Sequence, residues 1–109
     1  MGPVTLLDEV GIDVGAKVGH ILHEAFGERL APVAGADRLV KDGRLGKKTY
    51  KGFYRYDVKK EGDRRPVDMS VYDLLGVKPG TRVSADDVAW RCTLLMINEA
   101  VRCFEEGIL

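Results

Sequence analysis

Apolar residues recur along this chain mostly at helical spacing. Val4, Leu6, Leu7 and Val10 form a short apolar face. Pro3 suits the first turn of that helix, where its missing N–H costs nothing, and Gly11 is a natural stop. Asp13 is placed to cap a second helix by accepting backbone N–H bonds. Val14, Val18, Ile21, Leu22, Ala25 and Phe26 follow the i, i+4, i+7, i+8 template of one helix face. Gly27 ends that run. Gly15 and Gly19 each lower its intrinsic helicity by roughly 1 kcal/mol. Their small size lets a neighbouring helix come close, so the spacing predicts a packed helix.

Beyond a connector at 31–35, Ala36 to Lys41 reads as a short helix with Leu39 and Val40 inward, closed by Asp42-Gly43. Gly43, Gly46 and Gly52 interrupt any regular element after it, which predicts a loop. Phe53, Tyr54 and Tyr56 suit a short extended run. From Asp57 to Arg65 the chain is nearly all charged, and mobility is expected there. Asp68 is placed to cap a helix through Leu75, with Val71, Leu74 and Leu75 on its buried side. Gly76 stops it, and Lys78-Pro79-Gly80 is a turn. Ser84 and Asp87 open a last helix in the manner of a capping box, to about Glu106. Between Val88 and Ile97 its apolar residues cover most of the circumference. Such a helix either forms a central spine or lacks partners that a longer chain supplies. The expected fold is all-α, a small helical domain with a long C-terminal helix and an irregular basic loop.

Length and composition narrow the class. The 109 residues suffice for one modest core, and 45% hydrophobic with 31% charged residues is the balance of a globular protein, not a disordered one. No apolar run approaches the ~18 residues of a membrane span, and Asp8 and Glu9 interrupt the N-terminus too early for a signal peptide. A net charge of zero gives no global field toward nucleic acid or an anionic membrane. The distribution is uneven, because Lys41 to Arg65 holds ten basic side chains against four acidic ones. A solvated loop is one reading of that excess; contact of Lys47, Lys48 and Lys51 with a phosphate-bearing ligand or an acidic partner is the other.

Little in the sequence suggests chemistry. His20 and His23 share a helix with Glu24, but no third metal ligand accompanies them. Cys92 and Cys103, on one helix, would be about 16 Å apart, too far for a disulfide, and read as inert core thiols. Ser70 and Ser84 lie in no nucleophile elbow, and Ser84 is explained as a cap. Asn98 and Glu99 interrupt the apolar helix and are expected to hydrogen-bond between helices. The three loop glycines lack the spacing of a dinucleotide-binding turn.

Three stretches resemble the C-terminal helical part of 3-hydroxyacyl-CoA dehydrogenases, as in the fatty acid oxidation complex α subunit. They are Gly2-Pro3-Val4-Thr5-Leu6-Leu7-Asp8-Glu9-Val10-Gly11-Ile12-Asp13, then Gly43-Arg44-Leu45-Gly46-Lys47-Lys48-Thr49-Tyr50-Lys51-Gly52-Phe53-Tyr54, then Asn98 to Ile108. In the second, Tyr50 stands where the family commonly has glycine. The resemblance implies a fold like the C-terminal domain of 6-phosphogluconate dehydrogenase. It implies that residues 1–66 are the later part of a first helical unit with its basic loop, and that 67–109 are a linker helix and the first helix of a second unit. The parent would oxidise an (S)-3-hydroxyacyl-CoA to the 3-ketoacyl-CoA with NAD, alongside an enoyl-CoA hydratase domain. The family's catalytic residues lie outside the matched stretches, so no catalytic residue, metal ligand or bound cofactor is expected here, and the segment alone is expected to be inactive. Gly2 and Pro3 match positions near the interdomain cleft and are candidate substrate-side residues. Implied partners are the parent's NAD-binding domain, acyl-CoA and a thiolase subunit. The implied setting is the bacterial cytoplasm, with the mitochondrial matrix as alternative. The apolar last helix is expected to drive self-association. A free-standing helical module that binds acyl-CoA or a protein through the basic loop is the alternative function.

Overall fold

The computed structural model describes residues 1–32, 34–60, 62 and 65–108. Among them the chain forms helices α1 (Pro3–Val10), α2 (Ile12–Phe26), α3 (Ala36–Lys41), α4 (Ser70–Leu75) and α5 (Ala85–Glu105), with 3-10 turns at Gly27–Leu30 and Lys47–Thr49. The fold is all-α, as expected. The extended run expected around Phe53 is reduced to isolated antiparallel bridges, Gly46 to Lys51, Lys51 to Arg55 and Tyr54 to Val67. Part of the charged stretch expected to be mobile, residues 61, 63 and 64, lies outside the described residues.

Local chemistry explains most boundaries. Pro3 occupies the first turn of α1, and the Gly11 amide donates to the Leu7 carbonyl at 2.9 Å to close it. Gly11 alone separates α1 from α2, which leaves no position for a side-chain cap. Asp13, expected to be that cap, lies inside the first turn of α2 and pairs with Lys48 instead. Asp68 misses the cap of α4 by one position, since Met69 holds it. Its carboxylate still accepts the Ser70 amide at 3.1 Å and the Ser70 hydroxyl at 2.6 Å.

Two compact units result, 1–79 and 80–109. In the first, α1 packs on α2, α2 on α3 and α3 on α4. Ile12, Leu39 and Val71 are its buried apolar centre, with Val40, Phe53, Leu74 and Leu75 against them. Burying each such side chain stabilises by roughly 1.5–3 kcal/mol, so this small core leaves much of the work to polar contacts. Gly15 admits α1 closely: a Cβ there would lie 2.7 Å from a Leu7 methyl. In the second unit, Ser84 accepts the Asp87 amide at 3.0 Å, the cap expected there. No residue of α5 is buried, and Trp90, Leu95, Met96 and Phe104 are largely exposed.

Candidate functional site

The most constrained part of the first unit is where α1 meets the glycine-interrupted loop. Asp8 is fully buried. A buried carboxylate needs donors for its lone pairs, and the loop supplies three. The Phe53 amide donates to Oδ1 at 2.9 Å, the Tyr54 amide to Oδ2 at 3.0 Å, and the Tyr56 hydroxyl to Oδ2 at 3.1 Å.

Two glycines make that approach possible. A Cβ at Gly52 would sit 2.1 Å from Asp8 Oδ1, inside the carboxylate itself. A Cβ at Gly46 would lie 2.2 Å from the Asp8 carbonyl oxygen, and Gly46 also has φ +91°. These glycines are therefore bound to Asp8 sterically, not to a phosphate.

On the other side of the Gly52 peptide sits Arg44, only 2% exposed. Its Nη1 donates to the Gly52 carbonyl at 3.2 Å and to Asp68 at 2.7 Å; Nε donates to Asp42 at 2.9 Å; Nη2 donates to the Ser70 hydroxyl. The loop is thus clamped from both faces, by a carboxylate on α1 and by a guanidinium reaching the start of α4. Desolvation opposes ionisation of Asp68, but hydrogen bonds from Ser70 and Arg44 outweigh it and hold the carboxyl at about 2. Burial, then the charge of Asp8 and the bond to it, push the Tyr56 hydroxyl well above its ordinary range.

Tyr50 is the one described non-glycine residue with positive φ, at +58°. It stands where the related signature carries glycine, so the departure costs backbone strain of roughly 1–2 kcal/mol.

The three lysines singled out in the sequence are spread around the loop and already paired. Lys47 binds Glu9 at 2.9 Å, Lys48 binds Asp13 at 2.5 Å, and Lys51 binds Asp42 at 3.0 Å. The Lys48 bond lowers the Asp13 pKa, and the Lys51 bond, with Arg44, lowers that of Asp42. Gly2 and Pro3 form the exposed start of α1, with nothing within 4 Å of a Cβ placed on Gly2. A cleft of about 620 Å³ opens between Thr5 and Glu9 of α1 and Tyr54 and Tyr56 of the loop, and Lys47 reaches it. Lys48 and Lys51 do not line it. His20 pairs with Asp37 at 3.1 Å, and the His23 ring bonds the Gly27 carbonyl at 2.9 Å. Among the described residues no group of three metal-ligating side chains gathers, and no helix is long and apolar enough to cross a membrane.

Sequence reasoning missed Asp8 and Arg44 as centres. Arg44 belongs to the basic excess for which a solvated loop is one reading, and that reading fails for it: it is buried, and Asp42 and Asp68 offset the cost of burying its charge. A signal was present for Asp8: an acid inside an apolar helical face, ahead of a loop whose glycines needed a reason.

The unit's first helix thus presents a buried aspartate that accepts from a loop opening with Gly-x-Leu-Gly. The chain belongs to the family of the 3-hydroxyacyl-CoA dehydrogenase C-terminal domain, which matches residues 1–56. Among its relatives, the fatty acid oxidation complex subunit alpha of Shewanella baltica (strain OS185) is 53% identical over all 109 residues. The protein of the same description from Shewanella amazonensis (strain ATCC BAA-1098 / SB2B) is 54% identical over 110 residues, and that from Vibrio campbellii (strain ATCC BAA-1116) 50% over 109. The chain spans 15% of the length of each of these relatives.

Proposed function

We propose that this chain is a non-catalytic part of a fatty acid β-oxidation multienzyme whose whole protein oxidises (S)-3-hydroxyacyl-CoA to 3-ketoacyl-CoA with NAD. Its work is domain packing, dimerisation and the wall of the substrate cleft, with Gly2 and Pro3 on the substrate side. In this reading residues 1–66 belong to the first helical unit, and 67–109 supply a linker helix and the opening helix of a second. One observation carries the reading: the family's signature residues Asp8, Gly46 and Gly52 are consumed by one internal tie, which leaves them for architecture. The match of the relatives across all 109 residues favours it over a free-standing binding module.

In this reading NAD is held by another domain of the whole protein, and the partners are that domain, acyl-CoA and a thiolase subunit, in the bacterial cytoplasm. The test is NAD-dependent oxidation of a 3-hydroxyacyl-CoA, followed at the nicotinamide absorbance. The chain alone should give no turnover, and co-expression with the remainder of a relative should restore it. Turnover by the chain alone would overturn the reading. The exposed apolar residues of α5 support a second element, self-association of the isolated chain; a concentration-independent monomer in light scattering would refute it.

A further inference from the structure

The apolar residues of α5 include one continuous line. Trp90, Leu94, Ile97, Val101 and Phe104 are spaced alternately four and three apart, the repeat of the d and a positions of a two-stranded coiled coil. All five are at least half exposed. Leu95 and Met96 lie off this line, but past Ile97 the other faces are largely polar, with Asn98, Glu99, Arg102 and Glu105. A narrow apolar stripe of this kind suits one partner helix.

Charge decides the orientation of that partner. Asp87 continues the same line one step before Trp90. In a parallel pair each seam residue meets its own copy, so two Asp87 carboxylates would face each other across the seam. An antiparallel pair avoids this and opposes the two helix dipoles. In one antiparallel register Leu94 faces Phe104 of a second copy and Ile97 faces Val101, while Trp90 covers the end of the second helix. The register one step over would set Asp87 against Phe104. The first register also brings Arg91 beside Glu105 of the second copy, and the symmetry of the pair makes that contact twice. Within one helix these two side chains start about 21 Å apart and cannot meet.

We propose that α5 pairs antiparallel with α5 of a second copy of this chain, through this seam and two Arg91–Glu105 ion pairs. The proposal rests on the self-association stated above and adds its surface, its register and its orientation. Cys92 and Cys103 lie off the seam, so the pairing needs no disulfide.

The test is sedimentation equilibrium of the full chain under reducing conditions, since Cys92 is exposed, with the emission of its one tryptophan, Trp90, followed on dilution. A dimer with a Kd at or below about 100 µM is expected, and Trp90 emission should move to the blue as it forms. Leu94→Ala, which keeps a strong helix former, should weaken the dimer roughly tenfold or more. Arg91→Glu and Glu105→Arg should each weaken it by about tenfold. An equimolar mixture of those two variants should recover the original affinity, because each copy then meets the opposite charge at both ends. A concentration-independent monomer would overturn the pairing and the self-association together. A dimer whose Kd and Trp90 emission ignore all three substitutions would leave self-association standing on another face and overturn the pairing by α5. Weakening by both charge variants without recovery in the mixture would overturn the antiparallel register.

Discussion

Replacing Asp8 with asparagine changes one oxygen to an NH2 group and alters little else in volume. The carboxylate accepts at both oxygens, from the Phe53 amide on one and from the Tyr54 amide and Tyr56 hydroxyl on the other. Asparagine offers one acceptor oxygen. Whichever way its amide turns, its NH2 faces a backbone N–H that water cannot reach. A hydrogen bond to a charged group is worth roughly 1.5–3 kcal/mol, and a buried donor left unpaired costs a further 1–3. Partial relaxation of the loop brings the expected loss to about 3 kcal/mol. For a unit of this size each kcal/mol moves Tm by roughly 4–8 °C, so Tm should fall by about 12–24 °C. The assay is near-ultraviolet circular dichroism on heating. All four tyrosines lie in the first unit and Trp90 in the second, so the two transitions separate spectrally. Tyr56→Phe, which removes one donor only, should lose about 1 kcal/mol. Glu9→Gln, one residue away but exposed, should lose less than about 1 kcal/mol. A fall of under about 3 °C for Asp8→Asn, or equal losses for all three variants, would refute the account of the tie.

Other consequences are open to simple measurements. Asp68 is held at about 2 against an ordinary 3.8, so its stabilising contribution is complete above 3.8 and disappears as pH falls through 2; acid unfolding should steepen in that window, and Asp68→Asn should flatten it. The Tyr56 hydroxyl is shifted upward, so its contribution is complete below about 10 and is lost as pH rises further; in an alkaline absorbance titration Tyr56 should ionise well above the ordinary tyrosine range, and only with loss of the fold. Tyr50→Gly relieves the left-handed strain and gives part of that back as unfolded-state entropy, so stability should rise by roughly 0.5–1 kcal/mol in denaturant titrations. Gly52→Ala places a methyl inside the Asp8 carboxylate and should destabilise the first unit about as much as Asp8→Asn, measured by the same tyrosine signal.

Most of the helices were legible because each rests on local chemistry. Pro3 and Gly11 bracket α1, and Ser84 with Asp87 opens α5, all within a few residues of sequence. Leu39 and Val71 could be placed inward from spacing alone. Asp13 is not the cap that local logic predicts, because Lys48 takes its carboxylate from far along the chain, whereas Asp68 sits one position before the cap of α4 and still accepts the Ser70 amide. Dense charge suits a solvated loop as well as one that meets a ligand or partner, yet Arg44 is buried within the unit and Phe53, Tyr54 and Tyr56 bond to Asp8, far back on α1. Periodicity carries no information about such pairings; only the glycines at 46 and 52 hinted at a close approach, and they could not name what approaches.

The Asp8 tie also sets a clock for synthesis. Its first donor, the Phe53 amide, lies 45 positions downstream, and the Tyr56 hydroxyl lies 48. On a ribosome adding about 5–20 residues each second, α1 must wait roughly two to ten seconds for the loop that will hold it. During that interval the Asp8 carboxylate, fully buried in the finished unit, is still hydrated. The first unit closes only after residue 56 has cleared the exit tunnel.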